Sequence, residues 1–365
     1  MKSFVSHIIL MLFVVLSASA ATTNDKVRLS SEGLLMPGGD AVGIAVMISG
    51  GEHTYTGYNI DILLPDGLAF EYDEAADSYA IPNTAMYNGH ELLANLVTLD
   101  GRTALRVSSL SFSNKSFQAA EGKLFSFKVK VPLFTKPGAL SIDIKNTDFA
   151  TYNDKVVTPY HFADAISSDV TVSGNASTAL SVSATTQWGT MMIPFSATLP
   201  EGLTAYTCDS NDAENLILSP LTEIAAFTPY IIYSAQGFSG SLSGTVRSQD
   251  YPESDIVGSG YLRASIAPQT LTEGYVMQKQ NDEVQFYKVN SAKPVTVAAG
   301  KCWAEIPSSL ASKAAFGIVI DHGTGITTAP SATGNAPTTR YTTDGKMAAT
   351  QQDRIVIRQG RKFKQ

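Results

Sequence analysis

The chain has 365 residues, of which 44% are hydrophobic and 16% are charged. This length exceeds what one ordinary core needs and predicts two domains, and the many Val, Ile, Thr, Ser, Tyr and Phe residues favour β-sheets. The formal net charge of −7 provides no basic surface of the kind that nucleic-acid-binding proteins carry, so no nucleic-acid partner is expected.

Residues 1–20 have the organisation of a signal peptide. Lys2 supplies the positive charge, residues 8–16 form an apolar run, and residues 18–20 provide a small-x-small cleavage site. The run is too short to cross about 30 Å of hydrocarbon as a helix, which favours cleavage over a membrane anchor. No later segment reaches about 18 apolar residues, so the mature chain should not span a membrane. We expect an extracellular or outer-surface protein, with the periplasm as the alternative.

The first clear strand pattern lies in residues 57–64. Apolar side chains occupy every second position, and the polar Asn59 and Asp61 lie between them. This period of two predicts a strand with one buried face and one solvent-facing face. The Pro-Asp-Gly sequence at residues 65–67 then favours a turn.

Several further segments of the first half show the same pattern. Residues 93–99 and 102–108 flank Asp100-Gly101, a strong signal for a two-residue hairpin. In residues 123–131 the alternation directs Phe127 inward and Lys128 outward. About eight or nine short strands with turn residues between them predict a β-sandwich.

Four segments resemble the cohesin family: residues 37–40, residues 58–68, residues 121–129 with a Gly-x-Leu-x-x-Phe-x-Val pattern, and the closing residues 169–172. The resemblance implies a jelly-roll β-sandwich, related to carbohydrate-binding modules, over residues 21–173. Cohesins hold dockerin partners in polysaccharide-degrading assemblies, so the resemblance implies a protein partner or a polysaccharide. No sharp motif carries the dockerin-binding role, and no residue is assigned to it.

The Ser/Thr/Ala-rich residues 174–186 predict a boundary, and residues 174–326 predict a second all-β domain. Asn281-Asp282 separates two strand-like runs as a hairpin turn would. Four segments of this half resemble a module of secreted proteins from Gram-negative anaerobes: residues 199–206, 274–279, 284–288 and 299–303. The resemblance implies no chemistry for the module.

Residues 327–339 are a low-complexity sequence that predicts a linker. Residues 340–365 form a basic tail. Two of its segments, residues 341–346 and 354–364, resemble the terminal sorting domain of type IX secretion substrates. The alternative is a frayed basic terminus.

The sequence shows none of the common motifs of catalysis or cofactor binding. The histidines His53, His90, His161 and His322 show no zinc spacing, and the Gly-Phe-Ser-Gly-Ser at residues 237–241 lacks the last glycine of a nucleophile elbow. The carboxylate pairs of glycosidases are recognised by separation in space, which sequence spacing does not test. No catalytic, cofactor-binding, metal or ligand-binding residue is assigned, no cofactor is expected, and a non-enzymatic protein is favoured.

Two acidic clusters contain oxygen ligands suited to calcium, but neither has the glycine and closing glutamate of a calcium loop, so solvated loops are favoured. They are Glu71, Asp73, Glu74 and Asp77, and Asp209, Asn211, Asp212 and Glu214.

Five tyrosines close together could form a sugar-binding platform if their rings were exposed and coplanar: Tyr55, Tyr58, Tyr72, Tyr79 and Tyr87. The apolar periodicity places Tyr58 in the core instead.

Cys208 and Cys302 could pair in an exported protein, or could be two buried thiols.

Together these observations predict an exported, non-enzymatic binding protein whose cohesin-like module engages a protein partner, dockerin-like, or a glycan. The alternative is a structural or adhesive subunit of the cell surface.

Overall fold

A computed structural model describes residues 21–162, 166–307, 309 and 312–321, and the backbone of two short strands at residues 355–358 and 361–364. The predicted signal peptide, residues 1–20, and the predicted linker, residues 327–339, lie outside the described residues. In the described part of the chain no helix meets the length and hydropathy that a transmembrane helix requires.

The first half of the chain is a two-layer sandwich of eleven described strands. They are β1 (Lys26–Ser31), β2 (Val42–Ser49), β3 (Gly57–Leu63), β4 (Ala69–Glu71), β5 (Ala80–Pro82), β6 (Glu91–Leu99), β7 (Arg102–Leu110), β8 (Gly122–Lys130), β9 (Gly138–Asn153), β10 (Val156–His161) and β11 (Ile166–Val172). One sheet has the order β1-β2-β8-β4, with β5 also on β8. The other has the order β10-β9-β3-β7-β6, with β11 also on β9.

The core of the sandwich lies between these two antiparallel sheets. Tyr58, Ile60 and Ile62 of β3 face Phe125 and Phe127 of β8, and all five side chains are fully buried. Burial of each such side chain contributes about 1.5–3 kcal/mol of hydrophobic free energy. The predicted assignment of Tyr58 and Phe127 to the core is confirmed.

The hairpin predicted at Asp100-Gly101 is also confirmed. Leu99 pairs with Arg102, and the two turn residues have φ of 52° and 75°. Positive φ at both central positions defines the turn that matches the twist of paired strands, and glycine adopts it without steric cost.

The second half, from β12 onward, is a second all-β unit. Its strands are β12 (Asn175–Val182), β13 (Trp188–Met191), β14 (Ala197–Thr198), β15 (Thr204–Asn211), β16 (Asn215–Leu221), β17 (Glu223–Ile224), β18 (Tyr230–Tyr233), β19 (Phe238–Thr245), β20 (Ile256–Ser259), β21 (Leu262–Ser265), β22 (Gln269–Leu271), β23 (Tyr275–Gln280), β24 (Glu283–Lys288), β25 (Val295–Val297), β26 (Cys302–Ala304) and β27 (Ala315–Ile320). A 3₁₀ turn occupies Ser248–Asp250. The predicted fold class, an all-β chain with a jelly-roll sandwich followed by a second all-β unit, is confirmed.

Ten of these strands form one curled sheet in the order β13-β18-β15-β16-β27-β24-β23-β26-β21-β20. The Cys302 backbone N–H donates to Thr190 Oγ1 at 3.0 Å, which brings β26 against β13. Tyr275, Phe286 and Phe316 fill the space inside the curl. The hairpin predicted at Asn281-Asp282 is confirmed, because β23 and β24 pair on either side of it.

The loop at residues 132–137, between β8 and β9, contacts the second unit. Leu133 packs on an apolar cluster of that unit, and the Phe134 ring lies 6.4 Å from that of Phe227. The Tyr251 hydroxyl donates to the carbonyl oxygen of Thr135 at 2.7 Å. The two strand sets therefore share a small contact of mixed apolar and polar character.

Two further strands lie in the tail, β28 (Ile355–Arg358) and β29 (Arg361–Lys364). They pair antiparallel with each other. Among the described residues they join no other sheet.

Candidate functional site

The outer face of the six-stranded sheet is a broad surface that could engage a ligand. We use "outer face" for the side chains of β6, β7, β3, β9 and β10 that point away from the core. On β3 these are the residues between the buried Tyr58, Ile60 and Ile62. Strand alternation alone therefore places Asn59 and Asp61 on this face.

Asp61 lies at the centre of the outer face, and its side chain is nevertheless 0% exposed. Arg106 on β7 covers it with two hydrogen bonds of 2.7 Å, from Nε to Oδ1 and from Nη2 to Oδ2. Asn146 on β9 donates its Nδ2 to Oδ2 at 2.6 Å. The hydrogen bond to Asp61 raises the pKa of the Arg106 guanidinium, against the opposing effect of burial. The arrangement fixes a guanidinium on the face in one orientation.

A second polar row crosses the sheet next to this group. Ser108 donates to Asn59 Oδ1 at 2.7 Å, and Asp148 lies opposite Asn59 on β9. His161 Nδ1 and Asp148 Oδ1 are 2.7 Å apart. This row extends the polar region of the face from β7 across to β10.

Two ion pairs flank the other side of Asp61. Lys145 Nζ lies 2.7 Å from Asp100 Oδ2, and Arg102 Nη1 lies 3.8 Å from Asp143 Oδ2. The hydrogen bond from Lys145 lowers the pKa of Asp100. These charges alternate in sign, so this part of the face carries little net charge.

Several exposed apolar side chains occur towards one end of the outer face. Leu93 on β6 is 38% exposed, and Val157 on β10 is 45% exposed. Phe112, just beyond the end of β7, is 63% exposed. Leu93 pairs with Ser108 and continues the polar row, whereas Val157 and Phe112 lie nearer the end of the sheet, where the exposed Glu91 pairs with Leu110. A monomer exposes single apolar residues routinely.

A row that crosses the sheet towards that end has two small residues at its centre, and we call this row the trough. The register places Gly57 of β3 next to Ala150 of β9, with Leu110 on one side and Pro159 on the other. A β-carbon added at Gly57 would lie 2.7 Å from the carbonyl oxygen of Ser109, so a side chain is excluded there. Gly57 is buried and Ala150 is partly exposed, so the trough is a narrow row of small residues between the larger Leu110 and Pro159.

The carboxylates of the two acidic clusters have hydrogen-bond and ion-pair partners within the protein. Asp73 accepts the Ala76 N–H at 2.8 Å and pairs with Lys128 Nζ at 2.8 Å. Asp212 accepts the backbone N–H of Glu214 and of Asn215. Within the described residues no group of three His, Cys, Asp or Glu side chains is placed to hold a metal ion.

The five neighbouring tyrosines do not share one surface. Tyr55 and Tyr58 are buried in the core, and the Tyr87 hydroxyl bonds that of Tyr58 at 2.5 Å. The Tyr72 and Tyr79 rings are close, but their planes are inclined by 76°. They do not offer a coplanar platform for a sugar ring.

The described histidines serve local roles. His53 packs on the Tyr160 ring at 4.5 Å, and His90 stacks on Phe117 at 4.2 Å. His161 belongs to the outer face. His322 lies outside the described residues.

Cys208 and Cys302 do not pair in the structure. Both are free and buried, and burial raises the pKa of each thiol to about 12. Of the two alternatives that the sequence left open, the structure has the buried thiols.

A groove of about 550 Å³ in the second unit runs beside β22 and is lined by Trp303 and Glu305, among others. Trp303 is almost fully buried, and its Nε1 lies 3.3 Å from Glu305 Oε1. Arg263 Nε pairs with the same carboxylate at 3.0 Å. Because these groups satisfy one another, we assign the groove no ligand.

The Asp61 group was not predicted from sequence. Asp61 and Arg106 are 45 positions apart, and Asp61 and Asn146 are 85 apart. The alternation on β3 placed Asp61 on the solvent side, which is correct, but it did not reveal that neighbouring strands cover the carboxylate. The one available signal was an acidic residue between apolar ones in a strand.

No family model matches the sequence, and no curated protein matches it. Among solved structures, the seventh ScaB type I cohesin from Pseudobacteroides cellulosolvens is similar, with 13% identity over 42% of this chain and 93% of that chain and a TM-score of 0.34. A non-cellulosomal cohesin from Archaeoglobus fulgidus has 18% identity over 40% and 91%, with a TM-score of 0.29. A type I cohesin–dockerin complex from Clostridium thermocellum has 12% identity over 42% and 97%, with a TM-score of 0.31.

Proposed function

We propose that this protein is an exported, non-enzymatic binding protein whose sandwich engages a protein partner through the outer face. The observation that carries the proposal is the composition of that face. It combines a guanidinium held by the buried Asp61 with exposed apolar side chains towards one end and a trough between Leu110 and Pro159.

The two halves of the face suit different parts of a protein interface. The trough and the exposed apolar side chains near it would provide the desolvated centre, which contributes most of the binding energy in protein complexes. Arg106 is held by two hydrogen bonds and therefore loses little conformational freedom when a partner contacts it. The alternating ion pairs would set the orientation of the partner.

A protein partner fits the face better than a glycan. Binding modules for sugars stack the sugar on exposed aromatic rings, and the five clustered tyrosines offer no coplanar pair. The finer proposal is a dockerin-like partner in a polysaccharide-related context. It is supported by the resemblance of residues 21–173 to cohesins in sequence.

We also propose the chain organisation that the sequence predicts: a signal peptide at residues 1–20, a sandwich at 21–173, a second all-β domain at 174–326, a linker at 327–339 and a sorting tail at 340–365. Separate apolar clusters in the two halves support the boundary near residue 174. Thermal unfolding of each half expressed alone tests it, and a half that stays unfolded while the full chain is native would contradict it.

The binding proposal is tested with variants of the full-length protein. Leu110→Glu introduces a negative charge beside the trough, and Arg28→Glu places a negative charge on exposed β1 of the opposite sheet, by charge reversal, as the control. Wild-type and variant proteins are immobilised and exposed to secreted proteins of the host, and captured proteins are identified by mass spectrometry. The captured partner is then produced pure, and its affinity is measured by calorimetry.

We expect Leu110→Glu to weaken the binding of the purified partner at least about tenfold, because a buried unpaired charge costs more than 1.4 kcal/mol. Arg28→Glu should leave the affinity unchanged. Equal affinities for all three proteins would reject the outer face as the binding site. A glycan array with the same proteins separates the protein partner from the glycan alternative.

A further inference from the structure

Strand β6 ends the six-stranded sheet and is paired on one side. All nine of its residues, Glu91–Leu99, pair with β7. The hydrogen bonds of the described residues link it to no other strand. Its second edge therefore presents a row of backbone N–H and C=O groups to solvent.

Apart from Glu91 at its first position, the side chains of β6 do little to protect this edge. From Leu92 to Leu99 the strand contains no charged residue and no proline. Leu93 is 38% exposed and Leu96 is 40% exposed. Proteins usually protect an open edge with charges, proline, a bulge or a covering loop, because a long uncharged edge is a template for pairing with another chain.

The opposite edge of the same sheet is protected. β10 contains Pro159, which has no N–H to offer. The Ala21 N–H donates to the Pro159 carbonyl oxygen at 2.9 Å, and Ala21 forms a bridge with Tyr160. In the other sheet, the terminal strand β1 carries Lys26 and Arg28. Of the three terminal strands β1, β6 and β10, only β6 has a long run without charge or proline.

The sequence of β6 is complementary to itself in the antiparallel direction. With a two-fold axis at Asn95, the central residue of the strand, Leu93 lies opposite Val97 of a second copy, and Ala94 lies opposite Leu96 of that copy. Each cross-strand pair is apolar, apart from Asn95 opposite itself and the terminal pairs. No like charges meet, because Glu91 falls opposite Leu99.

We propose that β6 pairs antiparallel with β6 of a second copy of this chain, so that two six-stranded sheets become one continuous sheet. The ladder would supply on the order of eight to ten backbone hydrogen bonds. Its axis is perpendicular to the sheet, so the contact is closed and symmetric and stops at two copies. Leu96 gains Ala94 of the second copy as an apolar neighbour on its unpaired side.

The pairing would also place the two outer faces side by side on one side of the dimer. A partner with two binding segments would then engage both faces at once, which raises the apparent affinity without a new contact. The dimer itself does not depend on the partner proposed above, and the two ideas fail separately.

Charge variants at the two-fold axis test the dimer. Asn95 is exposed on the outer face opposite Arg106, so Asn95→Lys and Asn95→Glu place a charge at the surface and need no space in the core. Sedimentation of the full-length protein should give twice the chain mass for wild type and the single mass for each variant, because like charges oppose each other at the axis. An equimolar mixture of the two variants should recover the double mass through opposite charges.

The control is Val156→Lys on β10, where the exposed residue lies at the protected edge. This variant should still sediment at twice the chain mass. Hydrogen exchange gives a second measurement: the β6 amides should become protected as the wild-type concentration rises, and those of β10 should not change.

Three outcomes would overturn the proposal. The first is a wild-type protein that sediments as a monomer at the highest soluble concentration. The second is that both Asn95 variants still sediment at twice the chain mass, which would show that the dimer contact lies elsewhere. The third is a mixture of the two folded variants that stays monomeric.

Discussion

Asp61 and Arg106 form a two-hydrogen-bond ion pair on the solvent side of a sheet, and the carboxylate of that pair is completely shielded from solvent. The pair joins β3 to β7, and Asn146 extends it to β9. A charge shielded in this way is stable only while its partners remain, so the pair is both a structural link and the means by which the outer face holds an arginine in place.

Removal of the arginine should destabilise the sandwich. Arg106→Ala leaves the Asp61 carboxylate buried with fewer hydrogen bonds, which costs about 1–3 kcal/mol of unfolding free energy. Chemical denaturation measures the loss, and Arg28→Ala on exposed β1 is the control, expected within about 0.5 kcal/mol. The double variant with Asp61→Asn should lose less than the sum of the single losses. Strict additivity would show that the two residues are not coupled.

The core assignment of β8 yields a second prediction. Phe127 is fully buried between the sheets, and Phe127→Ala should cost about 3–5 kcal/mol in denaturant unfolding. The sequence suggests the adjacent Lys128 as the exposed control, but Lys128 forms an ion pair with Asp73 at 2.8 Å. The exposed Lys130 is therefore the better control, and Lys130→Ala should stay within about 0.5 kcal/mol. Equal losses would contradict the register of this strand.

These strands show what the sequence can and cannot predict. The alternation in β3 and β8 and the positive-φ turn at Asp100-Gly101 are local, so sequence patterns predict them well. The pairing of Asp61 with Arg106 depends on which strands become neighbours, and that is decided by packing between distant segments. The parallel pairing of β16 with β27, about a hundred residues apart, is a further case that local pattern does not reveal.

The loop between β4 and β5 should contribute a pH-dependent part of the stability. The hydrogen bond from Lys128 and the Ala76 N–H lower the pKa of Asp73 below its ordinary value of 3.8. A lowered pKa in the folded state stabilises the fold above the unfolded-state pKa, and this contribution is lost as the pH falls through the folded-state pKa. We expect Asp73→Asn to lower the melting temperature at neutral pH and to approach wild type as the pH falls from about 4 through the lowered pKa of Asp73.

The matched control for this loop is Glu74→Gln, which changes an exposed carboxylate of the same cluster. Its melting temperature should follow that of wild type across the whole pH range. A constant difference between Asp73→Asn and wild type at every pH would show that the carboxylate charge is not what stabilises the loop.

The two cysteines should be unreactive in the native protein. Their thiols are buried and have pKa values of about 12, and only the thiolate attacks an alkylating reagent. Iodoacetamide at mildly alkaline pH should therefore add nothing to the folded protein. After denaturation without reductant, mass spectrometry should find two adducts. No adducts under those conditions would show instead that Cys208 and Cys302 form a disulfide.

The tail should be required for delivery and not for folding. β28 and β29 pair with each other and, among the described residues, with nothing else. An isolated hairpin is marginally stable in water, so it should add little to the stability of the sheets before it. Deletion of residues 340–365 should leave the melting temperature unchanged and reduce the amount of protein at the cell surface of the native host. Unchanged delivery would reject the sorting role and leave a basic terminus, whereas a large fall in melting temperature would show that the tail completes a sheet of the second unit.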